Sequence, residues 1–371
     1  MKTRDYYFKR EDKVADSETV IVDLRGKGAI SAISVEVEAT NGGTSCVDHE
    51  IHDDVSLIEV VDGGKVIASL SMVQWLAINA AYLKRLPHQL LSENADAKQE
   101  ERIIIPFGRF IGDPNYFLDV GAFKNPELRI NVGLTISATA GFATGSGKVT
   151  VIGKIMDERP GEYKGFLRHR EVRGFTSASS GDEKISIPTN YPISLIAVLA
   201  RLTTYRPDEV ISKMKLSINN DELVPINDYT EDLIDMNQEV YGKFEQQKIL
   251  LTADDGTALT DIYDIRDAFI RCDADDHIAT IEAIDAEKVS NGLYDMTSPA
   301  TPAFQTTAKV CPLTVIGMCP CGAVFLPFGN LNDPDSWLHA ENYERIDLYL
   351  TQAAASADVD VLVQEVPSHL P

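Results

Sequence analysis

The densest group of potential ligands in the chain is Cys46-Val-Asp-His49-Glu-Ile-His52-Asp-Asp. Thiolate, imidazole and carboxylate are the side chains that bind transition metals. On a strand His49 and His52 would face opposite sides; only a helix or turn brings residues three apart together. Gly42-Gly43 just before them points to a loop. The expectation is a solvated polar loop that holds no metal. Cys319-Pro-Cys321, with Cys311 eight residues earlier, invites a zinc or redox reading. The spacing is Cys-x-Cys rather than Cys-x-x-Cys, and no second pair exists. Packed, reduced thiols beside the apolar run Ala323–Leu326 are expected instead.

Three further stretches suggest ligands and fail on spacing. Gly141-Phe-Ala-Thr-Gly-Ser-Gly147-Lys148 has one residue too many for a phosphate-binding loop, and Val149 stands where Ser or Thr is needed. A flexible hairpin tip is expected there. Asp254-Asp255-Gly256 and Asp273-Ala-Asp-Asp276-His277 lack the spacing of a calcium loop and read as solvated acidic surface. No His-x-His pair, triad or paired-carboxylate motif occurs among the seven histidines and 57 acids. The expectation is therefore no enzyme, no metal and no cofactor.

The elements that would position any site come next. A chain of 371 residues suits two domains. Its 44% hydrophobic and 25% charged content is that of a soluble globular protein. The first thirteen residues have no apolar core, so no secretory signal is expected, and Ile193–Ala200 is too short to span a bilayer. Five irregularly spaced cysteines fit reduced thiols better than a disulfide framework. A net charge of −23 argues against broad nucleic-acid binding. The charge is uneven. Basic residues gather in Met1–Lys13 and Arg159–Arg173, whereas Asp254–Glu287 holds eleven acids against two arginines.

The chain also repeats itself. PFGRFIGDPNYFL (Pro106–Leu118) is echoed by PFGNLNDPDSWL (Pro327–Leu338). Each is followed by an alternating strand, a run of small residues and a closing strand, Lys148–Met156 or Val359–Val366. Upstream, Glu18–Thr40 aligns with Glu183–Thr204. More faintly, Ile58–Leu83 aligns with Lys215–Gly242, each a hairpin followed by a short helix. Capping boxes are expected at Ser71 with Gln74 and at Asp228 with Glu231. Three echoes in one order imply tandem duplication of a β-rich domain. The offset is near 160 up to the helix and near 220 at Pro-Phe-Gly, so the second copy has gained roughly sixty residues. Such an insertion is expected to leave the core and project from a loop end.

The echoed turn has a physical reading. Ile103–Gly108 and Val324–Gly329 start as apolar strands that proline must end, since it removes a ladder donor. Glycine then permits a positive φ. Asp113-Pro114 and Asp333-Pro334 hold the chain extended, and Tyr116, Phe117 and Trp337 are large anchors. This describes a long crossing connection of a Greek-key sandwich. It serves the fold alone, or lines subunit contacts as well.

The echoed halves, the hairpin-plus-helix in each, the insertion in one, and the ending VFLPFGNLNDPDSW…ERIDLYLTQAAASADVDVLVQEV together resemble the double jelly-roll major capsid proteins of tailless icosahedral viruses, many with an internal membrane. The resemblance implies an all-β fold of two tandem eight-stranded jelly rolls side by side, each with a short helix. It divides the chain into an arm (1–17), a first jelly roll (18–157), a connector (158–174) and a second jelly roll (175–371). The insertion, about 245–312, would be an outward tower.

It implies a structural subunit that trimerises into pseudo-hexagonal capsomers and tiles a virion shell, assembled in the host cytoplasm. Partners would be the chain itself, neighbouring trimers, and penton or minor capsid proteins. The assembly loops would be Pro106, Phe107, Gly108, Asp113, Pro114, Tyr116 and Phe117, with Pro327, Phe328, Gly329, Asp333, Pro334 and Trp337. Lys2, Arg4, Lys9, Arg10, Arg168, Arg170 and Arg173 would face inward, toward anionic membrane or genome, without reading any nucleic-acid sequence. The competing reading is a tandem β-sandwich spike or adhesin that binds a glycan or receptor.

Overall fold

The structure is a computed structural model that describes residues 3–46, 49–157, 162–202, 205–252, 259–262, 265–272, 293–296 and 309–367. Alternating runs such as Pro126–Gly133 form strands that bury every second side chain, as the pleat requires. The first half holds β1 (Thr3–Lys13), β2 (Ser17–Asp23), β3 (Ala29–Cys46), β4 (Val55–Asp62) and β5 (Lys65–Leu70). Helix α1 (Met72–Leu83) follows, then β6 (Gln89–Ser92), β7 (Lys98–Pro106), β8 (Leu118–Asp119), β9 (Pro126–Gly133), β10 (Ala140–Phe142) and β11 (Lys148–Met156).

The second half opens with β12 (Arg168–Thr176), β13 (Gly181–Ile187), β14 (Ile193–Arg201), α2 (Pro207–Val210), β15 (Ile211–Ile218), β16 (Leu223–Tyr229) and α3 (Thr230–Tyr241). Inserted strands follow: β17 (Phe244–Thr252), β18 (Leu259–Ile262), β19 (Ile265–Cys272), β20 (Leu293–Met296) and β21 (Lys309–Pro320). The half closes with β22 (Ala323–Pro327), β23 (Ile346–Gln352) and β24 (Asp358–Glu365).

Each half is a sandwich of two sheets. In the first, β1-β11-β3-β7 opposes β2-β9-β4-β5. In the second, β12-β24-β14-β22 opposes β13-β23-β15-β16. Setting aside short additions and the insertion, the strand connectivity is the same twice over, and it is the jelly-roll order. The fold is a double jelly roll.

Side chains repeat with the topology. Asn79 of α1 donates Nδ2 to Ile104 O at 2.7 Å and accepts Ile104 N on Oδ1 at 2.6 Å. Asn237 of α3 does the same with Phe325, both at 2.7 Å. Each asparagine thus stands in for a neighbouring strand at the same point of β7 and β22, two residues before the proline. Likewise Phe107 N donates to Ser31 O and Phe328 N to Ser194 O, each at 3.0 Å.

Three expectations need correction. Residues 3–13 are not a free arm: β1 pairs antiparallel with β11 as the first strand of the first jelly roll. The end of the expected connector is β12, paired with β24 as the first strand of the second. The two basic clusters are therefore one strand written twice. Their side chains are exposed or half-buried, His169 excepted, so neither carries the apolar alternation that marks a strand. Finally, Ser71 and Gln74 do form a capping box, whereas α3 begins after Tyr229 with no side-chain cap.

The insertion does not wholly leave the core. β17 pairs in parallel with β6 of the first half, and Phe244 and Val315 lie in the first half's core. Much of the insertion, 273–292 and 297–308 included, lies outside the described residues. Among the described residues no helix is long and apolar enough to cross a membrane.

Replacing Asn79 or Asn237 by alanine leaves a buried strand N–H and C=O unpaired, at about 1–3 kcal/mol per group. Each variant is expected to lose about 3 kcal/mol of stability in urea unfolding. A loss below about 1 kcal/mol would show that the two asparagines do not lock the strands.

Candidate functional site

The two Pro-Phe-Gly turns meet. The edge of the Tyr116 ring packs on Trp337 with centroids 5.7 Å apart, in a small cluster with Leu167 and Val366. Trp337 Nε1 donates to Asn330 O at 3.2 Å. Arg109 lies over the Tyr116 ring, 4.6 Å from its centroid, and donates Nη1 to Asn332 O of the other turn at 3.0 Å. The same turn thus occurs twice at one end of the molecule, and the two copies close the seam between the halves.

The turns are locked differently. In the first, fully buried Asp113 accepts Arg109 Nε at 2.6 Å and Nη2 at 3.0 Å, together with the backbone N–H groups of Asn115 and Tyr116. In the second, Asp333 is exposed, and Ser336 Oγ does the bracing, accepting Asn330 N at 2.9 Å and donating to Asp333 O at 2.6 Å. Gly329 has φ +65°, as expected. Gly108 instead is required by crowding, since a Cβ there would sit 2.7 Å from Tyr116 O. Phe107 is buried in the first core, and Phe117 packs on Tyr163 with centroids 5.0 Å apart. Pro106 ends β7 and Pro327 ends β22; Phe328 is partly buried against the second core, and Pro114 and Pro334 lie in the crossing turns.

The basic residues expected to face inward are largely engaged. Glu365 is fully buried and takes Arg170 Nη2 at 2.6 Å, with Arg168 Nε 3.2 Å away. Arg173 lies 3.5 Å from Glu183, Arg4 pairs with Asp157 at 2.5 Å, and Lys9 pairs with Asp12 at 2.9 Å. Arg10 stacks on Tyr7. Lys2 lies outside the described residues. The strands are basic, but their charges serve ladders and the seam rather than an open cationic patch.

Helix α1 packs between the halves. Trp75 lies against His169 of β12, with centroids 5.3 Å apart, and Gln74 Nε2 donates to Glu171 at 2.8 Å. The outer face of β14, β22 and β24 meets it through Leu195, Ala197, Leu199, Phe325 and Leu362. Next to this seam a groove of about 520 Å³ opens, lined in part by Tyr82, Lys84, Arg109, Tyr241 and Leu331.

Comparison with known proteins bears on this architecture. No protein-family profile matches the chain, and no curated protein matches it in sequence. Among solved structures it is similar to the major capsid protein P2 from bacteriophage PM2, at 9% identity over 98% of both chains, with a TM-score of 0.52. It is similar to the PBCV-1 virus capsid at 12% identity, over 98% of this chain and 93% of that one, with a TM-score of 0.58. A chain of Sulfolobus Turreted Icosahedral Virus matches at 10% identity over 98% and 89%, with a TM-score of 0.53. At such identities the likeness is one of fold, and it spans both halves and the seam.

The polar cluster at Cys46–Asp54 is not a solvated loop. His52, Glu50 and Asp54 are buried. His52 Nδ1 lies 3.0 Å from both oxygens of Glu101, and its Nε2 lies 3.3 Å from Glu50. Donor atoms of Glu50, His52 and Glu101 fall within 4.8 Å of one another, the one such group among the described residues. Each imidazole nitrogen faces a different carboxylate, so the ring bridges the two acids, and a metal would have to displace one of these contacts. His49 lies 3.1 Å from Asp54, whose hydrogen bond raises the imidazole's pKa. Burial opposes charge on Asp54, but bonds from His49 and Thr135 outweigh it and hold that carboxyl below its usual range. Glu101 stands 49 residues after His52, which no local spacing could reveal.

The remaining motifs resolve simply. Cys319 lies at the end of β21 and Cys321 in the tight turn that follows, and the two are buried in different cores. The glycine-rich tip is tied down: Asp16 accepts Gly145 N at 2.6 Å and Thr144 Oγ1 at 2.5 Å, where a phosphate would have to sit. The acidic stretches at 254–256 and 273–277 lie outside the described residues, as does the ligand site that an adhesin would place there.

His169 supplies a test of the seam. Burial pulls its imidazole down to about 4 from 6.5, against the hydrogen bond to Gln364. The unfolded chain therefore takes up this proton first. Stability falls as pH drops below about 6.5, and the loss is complete near pH 4. The stability advantage of the wild type over His169→Gln is expected to shrink by about 3 kcal/mol between pH 7 and pH 4. A difference that stays flat in urea titrations would show that the ring is not held neutral.

Proposed function

We propose that this chain is a shell-building subunit, a major capsid protein that associates in threes into pseudo-hexagonal capsomers and tiles an icosahedral virion. The observation that carries the reading is the pair of jelly rolls of identical connectivity, standing flank to flank on an apolar seam. Three such chains present six similar barrels, an outline that fills a flat lattice. The solved structures sharing this fold over nearly their whole length include the PM2 major capsid protein and the PBCV-1 capsid.

In this reading the work is mechanical, and no bond is made or broken. Rigidity comes from two filled cores and a seam, and assembly from complementarity between copies. The division into two jelly rolls follows the topology, with β1 and β12 as their opening strands. The insertion, anchored on β6 of the first half, projects beyond that anchor as an outward tower. Penton or minor capsid proteins complete the shell, which assembles in the host cytoplasm. Any contact with anionic lipid or genome falls to other basic residues, because Arg168 and Arg170 are spent on Glu365.

Negative-stain microscopy and light scattering of the expressed chain are expected to show particles of three chains with a hexagonal outline. A chain that stays monomeric at high concentration would overturn the reading.

A further inference from the structure

The seam inside the chain joins one specific pair of surfaces. The edge of β5 meets β12 in a parallel pairing of Ser69 with Arg170, and α1 covers the outer face of the sheet to which β12 belongs. Both surfaces recur, uncovered among the described residues. β16 occupies the place of β5 and ends its sheet. β1 occupies the place of β12 and ends its own. Helix α3 occupies the place of α1, fixed by the matching asparagines Asn79 and Asn237.

The chemistry of the uncovered pair differs from that of the buried one. Aligned on those asparagines, Ala77, Ile78, Ala81 and Tyr82 of α1 correspond to Asp235, Met236, Glu239 and Val240 of α3. All four of the α3 residues are exposed, as are Glu231 and Asp232 nearby. Leu223 and Tyr229 of β16 are exposed beside them. On the receiving sheet, the place of Leu199 is taken by Glu36 and that of Ala323 by Arg102. That face is a mosaic of Lys98, Arg102, Lys148 and Lys154, paired with Glu36, Glu38, Glu100 and Asp5. The basic strand β1 borders it, with Lys9, Arg10 and Lys13.

We infer that the acidic face of α3 and β16 docks on the β1-β11-β3-β7 face of a second copy of this chain, repeating the internal seam with ion pairs in place of apolar packing. The inference rests on the capsid reading and deepens it by naming the surfaces. The contact is heterologous, so it propagates head to tail. It closes after three chains when the step from one barrel to the next is a sixth of a turn. The acids of α3 would meet cations at the rim, while Met236, Val240 and Tyr229 supply the apolar centre.

Zero-length carbodiimide cross-linking of the full chain, read by mass spectrometry, tests this. Cross-links from Glu231, Asp232, Asp235 or Glu239 to Lys98, Lys148, Lys154, Lys9 or Lys13 are expected in the trimer band and absent from the monomer band. The doubly substituted variant D235K/E239K is expected to weaken trimer formation at least tenfold in native mass spectrometry. Raising salt from 0.05 to about 0.5 M should weaken the wild type in the same direction, since screening acts on exposed ion pairs. Both substitutions are at exposed helix positions, and a circular-dichroism melt checks folding. Trimers that form equally well in the variant, with cross-links elsewhere, would overturn the named interface and leave the capsid reading standing. A wild-type chain that never associates would overturn both.

Discussion

The structure depends on a β-sheet that is apolar on both faces. In β14, Ile196 and Val198 fill the second barrel, while Leu195, Ala197 and Leu199 face the first half's helix. A sheet with one apolar face is satisfied by a single sandwich; a sheet with two needs cover on both sides. Helix α1 supplies that cover, and this explains its composition. From Met72 to Ala81 it buries almost every residue, Trp75 and Asn79 included. An isolated helix of this kind would have no face to offer water. The two halves are therefore one folding unit at this seam, although each has a complete jelly-roll topology.

Comparison of the two copies shows which features tolerate change. The asparagine locks, the Ser31 and Ser194 carbonyl bonds and the proline-ended strands are the same in both. Each satisfies backbone groups at a strand end, where an apolar replacement would leave a buried donor or acceptor unpaired. The faces diverge instead. Leu199 has Glu36 as its counterpart and Ala81 has Glu239, because a face responds to what covers it rather than to the backbone beneath it. Even the bracing of the echoed turn has changed, from the Arg109–Asp113 pair to the Ser336 hydroxyl, while both turns keep large aromatics, Tyr116 of the first packing on Trp337 of the second.

This division also explains what the sequence discloses. The hairpin-plus-helix units and the Pro-Phe-Gly turns were legible because local backbone chemistry marks them: turn residues, a capping serine, a proline after an apolar run. β1 and β12 were not legible as strands. TRDYYFKREDK buries no residue fully, so it is held by its ladder to β11 and shows no alternation to read. The asparagine locks gave no signal because one amide within a helix has no period. Nor could the Glu50–His52–Glu101 group be found: it unites a turn with a strand 49 residues on, and proximity of that kind exists only after folding. Reading basic residues as a patch failed for a related reason. Glu365 was invisible as their partner until β24 was placed beside β12.

A net charge of −23 sets a further constraint on any self-association. Copies of such a chain repel at long range, so approach is productive only where cations are presented locally. Lys98, Arg102, Lys148 and Lys154 lie on the first half's outer sheet and Lys9, Arg10 and Lys13 on β1, whereas the acidic helix α3 sits on the second half. The polarity of each chain then favours head-to-tail over head-to-head encounter. An apolar face like that of β14, left exposed on the free subunit, would associate without regard to timing or partner. In the proposed interface the apolar version of the contact stays inside the chain and a charged version outside, which separates the two demands. The first makes the subunit rigid, and the second would keep free subunits apart until others of their kind are abundant.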